Sequence, residues 1–266
     1  MYSEKVNLDK FYTKTNVAKK CLSYINFDQY DLVIEPSAGN GSFYNQINHN
    51  NKLGLDIEPE NSDILKADWF DYKVDEEYKK VLVIGNPPFG KRNKLSKMFL
   101  QHSCSFNNVY TVAFILPNVY NKHTLQKYIP LEYRLKNIIE LDNNSFTIDG
   151  ETYHVPCSFF IFEKSDGKCL RFNPNLYKET DDWKYGNKDD YDFFTMGASI
   201  NTIKDTPTKN NRGYFIKIKP SIDVENVKTN FKKMKVKNFS SANGGVAWLT
   251  KPELVKNYLQ NFMDKT

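Results

Sequence analysis

The run VLVIGNPPFG, Val81 to Gly90, limits the possible folds more than any other stretch of the chain. Four branched apolar residues lead without a polar break into a glycine, an asparagine and two prolines. Such a run reads as a strand buried on both faces, of the kind parallel sheets use, and it stops abruptly. Two consecutive prolines remove ladder donors and hold the backbone stiff and extended after Asn86. Open α/β sheets place their ligands beyond the carboxyl ends of the strands. The turn therefore offers the Asn86 carboxamide, the Pro87 carbonyl and the Phe89 ring to a ligand. Two acceptors beside a stacking face suit an exocyclic amine on a flat ring. Taken alone, the stretch fits equally a plain loop that blocks a helix, so the rest of the chain decides.

Short apolar runs recur on either side. DLVIE (Asp31 to Glu35) predicts a first buried strand, and PSAGNGSF after it predicts a tight glycine turn at Gly39 and Gly41 with a helix following. KLGLDIEP predicts a second strand ending in Asp56, roughly twenty residues past the glycines, the interval at which such folds place a carboxylate for ribose hydroxyls. DILKADWF predicts a short third strand ending at Asp68 and Trp69. Val81–Gly85 is the fourth, YTVAFILP the fifth, the segment around Ile138 to Leu141 the sixth and His154 to Lys164 the seventh. Helical spacing in NVAKKCLSYI predicts an amphipathic helix before the first strand, capped by Thr15 or Asn16. KRNKLSKMFLQHSC and HTLQKYI also read as helices. Strands alternating with helices imply an α/β fold built on a doubly wound, mainly parallel, seven-stranded Rossmann-like sheet, its last two strands forming an antiparallel edge.

The texture changes after Lys164, where SDGKCLRFNPNLYKETDDWKYGNKDD is polar and turn-rich. The predicted division is a domain of residues 1–164 and a small α+β carboxyl-terminal region of residues 165–266. In the second part DFFTMGASI and GYFIKIK read as strands, and VENVKTNFKKM and KPELVKNYLQNFM as helices. Charge is uneven too: nine Lys or Arg between Lys209 and Lys237 oppose Asp223 and Glu225, a balance of +7 within a chain of net +5. A basic appendage on a nearly neutral body predicts a polyanionic partner, with a solvated lysine-rich surface as the plain alternative. Four scattered cysteines and four scattered histidines show no metal-ligand spacing, and no metal is expected. No apolar run approaches a membrane span and the amino terminus carries no apolar signal core, so a reducing, cytoplasmic setting is expected.

Four motifs in order, FYTK, EPSAGNGSF, LDIEP with ADWF, and NPPF, resemble the class I S-adenosylmethionine-dependent adenine-N6 DNA methyltransferases. The likeness is to the group whose cofactor loop comes first and whose target-recognition region comes last, and it spans residues 9–164. It implies S-adenosyl-L-methionine as cofactor. Ser37, Gly39 and Gly41 would border the methionine end, with Glu35 near the ammonium and Tyr12 and Thr13 closing over it. Asp56 would take the ribose hydroxyls and Ile57 would pack on the adenine, with Asp68 and Trp69 (or Phe70) at the far edge of that ring. Asn86, Pro87, Pro88 and Phe89 would form the catalytic motif. Lys91 and Arg92 would meet a flanking phosphate, and Arg212, Lys217, Lys219, Lys232 and Lys233 would track the nucleic-acid backbone.

The motif leaves other substrates open. RNA adenine is the main competitor, because a flipped and an unpaired adenine present the same atoms. Glutamine-amide enzymes carry a related motif without needing the basic region, and cytosine-N4 enzymes more often have serine first. A catalytically inactive binding subunit would show damage in NPPF or the glycine loop, and both are intact. Target sequence, oligomeric state and any partner subunit are not legible.

Overall fold

A computed structural model of the chain describes residues 11–148, 150–166, 169–207, 212–236 and 248–263, without the side chains of 123 and 124. Asp9, Lys10, Lys209 and Lys237, which the sequence reading used, lie outside the described residues. The chain divides into two compact units, Met1–Arg171 and Phe172–Thr266.

The first unit runs β1 (Tyr12–Thr13), α1 (Thr15–Leu22), β2 (Leu32–Glu35), β3 (Lys52–Asp56), β4 (Leu65–Lys66), β5 (Val81–Gly85), α2 (Lys94–Ser105), β6 (Val109–Pro117), α3 (His123–Gln126), β7 (Tyr133–Glu140), β8 (Phe146–Ile148), β9 (Glu151–Tyr153) and β10 (Cys157–Lys164). Seven strands make one sheet in the order β4-β3-β2-β5-β6-β10-β7. The pairs from β4 through β6 are parallel, whereas β10 is antiparallel to both β6 and β7. The last two strands thus pair antiparallel at one end of the sheet, as the sequence suggested, and of the two it is β10 that takes the interior place. Its sequence, CSFFIFEK, explains the position: six successive residues, Cys157 to Phe162, are buried, as a strand covered on both faces requires. A separate three-stranded sheet, β1-β8-β9, joins the amino-terminal FYTK segment to the β8–β9 hairpin through Tyr12↔Thr147 and Thr13↔Phe146.

Helices are sparser than predicted. Helix α2 buries Ser96, Phe99, Leu100, Ser103 and Cys104, the spacing of a single apolar face. Phe99, Leu100 and Cys104 join Val81, Val83, Val112 and Phe114 in one core cluster. The glycine loop, by contrast, leads only to a 3-10 turn at Tyr44–Gln46, because its polar residues leave no apolar stripe for a longer helix. Helix α1 begins after Lys14 instead of being capped by Thr15 or Asn16. Strand β4 keeps two residues, and β7 extends well upstream of Ile138.

The second unit comprises β11 (Trp183–Tyr185), β12 (Phe193–Met196), β13 (Ser199–Lys204), β14 (Gly213–Ile218), α4 (Val224–Lys233) and α5 (Lys251–Phe262). Its four-stranded sheet has the order β11-β14-β12-β13, antiparallel throughout. Both helices are capped by their own sequence. The Asp223 carboxylate accepts from Glu225 N, and the Glu253 carboxylate accepts from Thr250 N at 2.7 Å ahead of α5. Trp183, Phe193, Phe231 and Tyr258 fill the core between helices and sheet. Strand β11 lies in the stretch read as a polar boundary; one buried tryptophan suffices to dock it.

Phe160 is fully buried in the middle of β10. Phe160→Ala is expected to destabilise the protein by about 3–5 kcal/mol in urea titration; a loss under about 1 kcal/mol would contradict its central place in this core.

Candidate functional site: the crevice between two strand ends

Strand β2 pairs with β3 on one side and β5 on the other, so the chain leaves β2 toward one edge of the sheet and later returns to its opposite side. Loops after two such strands part in opposite directions and leave a crevice at their carboxyl ends. The register Leu32↔Val81 to Ile34↔Val83 brings Glu35 to the level of Ile84, one residue before Gly85. Gly85 has φ +145°, and a Cβ there would stand 3.0 Å from Glu35 Cγ. Glycine at this strand end therefore serves both the backbone turn and the room for Glu35.

On the β2 side, the glycine loop turns through Gly39 at φ +51° and Gly41 at φ +85°. It is held to the next strand by its own amide: Gly39 N donates to Asp56 Oδ2 at 2.7 Å, while Glu58 N donates to Asp56 Oδ1 at 2.8 Å. A carboxylate has about four acceptor sites, so Asp56 keeps capacity for hydroxyl donors. Tyr12 crosses the loop, its ring 3.6 Å from where a Gly39 Cβ would lie, and its hydroxyl donates to Glu60 Oε1. Ile57, 44% exposed, leaves an apolar face open beside Asp56.

On the β5 side, Asn86 is fixed by other segments. Its backbone carbonyl accepts from Ser37 Oγ at 3.4 Å, which ties the two loops together. Its side-chain Nδ2 donates to the Phe11 carbonyl at 3.1 Å. That carbonyl can only accept, so the amide is oriented with Oδ1 on the other side. Asn86 Oδ1 is buried and has no hydrogen-bond partner. Glu35, 2% exposed, has a second such atom in Oε2. Burial, and secondarily the negative charge of Asp56, raise its carboxyl well above the ordinary 4.5, although the Tyr44 backbone opposes the shift. Buried acceptors without donors cost free energy unless something supplies the donors.

The crevice gathers Tyr12, Glu35, Ser37, Gly39, Gly41, Asp56, Asn86 and Phe89 from four elements. Thr13 is buried next to Tyr12, and its Oγ1 also lacks a partner. Pro87 is buried and Pro88 half-buried. Several expectations need correction. Trp69 is 1% exposed and packs on Tyr72, His102 and Phe106, so it is a core ring and Phe70 is the more accessible of the two. Phe89 is 6% exposed with Phe11 stacked at 6.0 Å and 26°, so it is not an open platform. Asp68 is exposed, one oxygen accepting from Phe70 N at 2.9 Å. Lys91 and Arg92 are exposed in a turn where Arg92 and Asn93 both have positive φ.

In the second unit, Lys217 pairs with Asp190 at 2.8 Å and Asp192 at 3.6 Å, and Lys219 with Glu179 at 3.6 Å. Their charge is balanced locally, whereas Arg212, Lys232 and Lys233 are exposed. Sequence reasoning missed Phe11, Glu60 and Tyr153. Phe11 was visible as the aromatic before Tyr12, but nothing in the sequence shows which loop its carbonyl meets. Among the described residues no helix is long and apolar enough to cross a membrane, and no three His, Cys, Asp or Glu are grouped to hold a metal. A concavity of about 650 Å³ bordered by Asp28, Asp31, His49 and Glu77 lies at the amino ends of the strands, away from this crevice.

No family profile matches the sequence, and no curated protein does. Similar solved structures include a modification subunit of a putative type I restriction enzyme from Vibrio vulnificus, with TM-score 0.44, 14% identity, and 68% of this chain and 48% of that one covered. A putative RNA methyltransferase from Pyrococcus horikoshii has TM-score 0.44 and 15% identity over 62% of this chain and 92% of that one. A 23S rRNA methyltransferase has TM-score 0.43 and 8% identity over 92% and 96%. This chain therefore spans about half the length of the restriction subunit.

Glu35 yields a pH prediction. Its raised folded-state pKa means that unfolding releases a proton once the pH exceeds the unfolded value near 4.5. The stability it contributes is complete below that pH and declines as pH rises toward the folded value. Urea titrations at acid, neutral and alkaline pH should show the ligand-free wild type falling below Glu35→Gln as pH increases. A wild type that instead gains on the variant with rising pH would contradict the assignment.

Proposed function

We propose that the first unit binds S-adenosyl-L-methionine and transfers its methyl group to the N6 amine of adenine in DNA. The observation that carries this reading is the pair of buried, donorless acceptors, Glu35 Oε2 and Asn86 Oδ1, on the ends of adjacent strands. Each is suited to an amine: the ammonium of the cofactor's methionine part for Glu35, the amine of the target for Asn86. The donor set also fits the cofactor. Gly39 and Gly41 allow close backbone approach, Asp56 retains acceptor capacity for ribose hydroxyls, and exposed Ile57 offers a surface to a purine. Asp68 would accept from the purine amine.

Bound there, S-adenosylmethionine supplies an electrophilic methyl group on sulfonium. The chain's own part is positioning. An adenine amine is a weak nucleophile because its lone pair is delocalised into the ring. Asn86 Oδ1 and the Pro87 carbonyl would accept its two N–H groups and favour a pyramidal nitrogen whose lone pair faces the methyl. Preorganised acceptors of this kind contribute about 3 kcal/mol to lowering a barrier, and alignment adds to it. The Phe89 ring, covered by Phe11, instead packs behind the turn that carries them. The proton leaves from the methylated nitrogen, which is acidic, to water or to those acceptors.

A base in a duplex reaches such a crevice only by flipping out, at a cost of a few kcal/mol. Lys91, Arg92, Arg212, Lys232 and Lys233 are the exposed cations for phosphates, giving salt-dependent affinity. Lys217 and Lys219 would first have to leave their carboxylate partners. We read residues 165–266 as the target-recognition part. RNA adenine is the second reading, favoured by the same pocket.

Labelled-methyl transfer to duplex DNA, single-stranded DNA, RNA and protein tests the proposal, with N6-methyladenine in DNA as the expected product. Label in protein alone would overturn it. Asn86→Ala should abolish transfer and leave cofactor affinity nearly unchanged; a wild-type rate would refute the role. Asp56→Ala should weaken cofactor binding about tenfold or more, as loss of hydrogen bonds to a charged acceptor does; unchanged binding by calorimetry would remove Asp56 from the site.

A further inference from the structure

We propose that Phe11 is the positioning residue that decides which end of the Asn86 carboxamide faces the target amine. The inference rests on the reading of Asn86 given above and extends it to a residue outside the motif. An asparagine amide is nearly symmetrical in shape, and its two ends differ only in hydrogen bonding. Rotated by half a turn, Asn86 would present an NH2 group to the amine and repel it. The side-chain bond that selects the orientation is the donation from Asn86 Nδ2 to the Phe11 carbonyl, 3.1 Å. The other anchor of Asn86, from Ser37, is to its backbone and leaves the side chain free to turn.

The carbonyl of Phe11 is held in place from two directions. Its ring is clasped between Phe89, at 6.0 Å, and Tyr153, at 5.0 Å. The residues after it are pinned to the β8 strand through Tyr12↔Thr147 and Thr13↔Phe146. The β8–β9 hairpin, which carries Tyr153, therefore reaches the reacting centre through one ring and one carbonyl. Substituting Phe11 leaves the carbonyl in the chain and removes the ring that fixes where it points. Phe11 acts through Asn86, which distinguishes it from the groups that would touch the substrate.

The test is a double-mutant cycle with Asn86→Asp. A carboxylate has an acceptor at each end, so turning it over changes nothing. Methyl transfer to an adenine-containing oligonucleotide should fall about tenfold or more in kcat for Phe11→Ala, with cofactor affinity unchanged, and Phe11→Tyr should restore it. In the Asn86→Asp background the same Phe11→Ala change should cost less than about twofold. An equal loss in both backgrounds, or a wild-type kcat for Phe11→Ala, would overturn the proposal. Tyr153→Ala, which withdraws one side of the clasp, provides the same readout should Phe11→Ala fail to fold. If the wild type methylates no amine at all, the functional reading fails separately. The positioning is then read by NMR from the Asn86 side-chain NH2, identified by its loss in Asn86→Asp. Its exchange with water should be slow in the wild type and faster in Phe11→Ala; equal exchange would overturn the inference.

Discussion

Parallel pairing of β2 with β5 is the constraint on which the rest of the site depends. Without that neighbour relation, the glycine loop and the NPPF turn would be two unrelated strand ends. With it, Glu35 lies against Gly85, Ser37 reaches the Asn86 backbone, and two loops of opposite direction share one crevice. The pairing follows from composition: both strands are buried along their length, and a strand buried on both faces needs parallel neighbours covered by other layers. Local sequence thus supplies strands that fit only the middle of a sheet, and the middle of this sheet is where the chain reverses its winding.

The crevice is costly to the folded chain on its own. Glu35 is held with its carboxyl shifted upward by desolvation, and Asn86 and Thr13 keep oxygens without donors. Each departs from what stability alone would favour, and such departures cluster at functional sites in proteins generally. A ligand bearing an ammonium group would offset the Glu35 penalty and would thereby stabilise the fold in proportion to its binding. The surrounding core, with Phe160, Phe114 and Leu135 fully buried nearby in the same sheet, is what can sustain that cost.

Much of this was legible from the chain alone, and the gaps have physical causes. All seven strands of the main sheet were visible, because short apolar runs ended by glycine, proline or acid are a local signal. The interior place of β10 was not, since order in a sheet is set by pairing between distant segments. A helix after the glycine loop was expected from analogy with other strand–loop–helix units, but NQINHN has no apolar stripe to bury. Trp69 read as a ring for a ligand because it follows Asp68; its neighbours His102 in α2 and Phe106 just after it are more than thirty residues away in sequence and claim it for the core. Lys217 and Lys219 counted toward a basic surface in a linear tally, while folding places Asp190, Asp192 and Glu179 against them. Phe11 is the clearest case of a contribution the sequence conceals, for it acts through a backbone carbonyl that every residue possesses.

In the function proposed, Asn86 Oδ1 receives the amine of a flat ring next to the cofactor. A crystal structure of the protein with S-adenosylhomocysteine and an adenine-containing strand measures it directly. The exocyclic nitrogen should lie within about 3.2 Å of both Asn86 Oδ1 and the Pro87 carbonyl, with Glu35 beside the ammonium of the cofactor product. An adenine amine bound elsewhere, or an Asn86 oxygen turned away from it toward the protein interior, would contradict it.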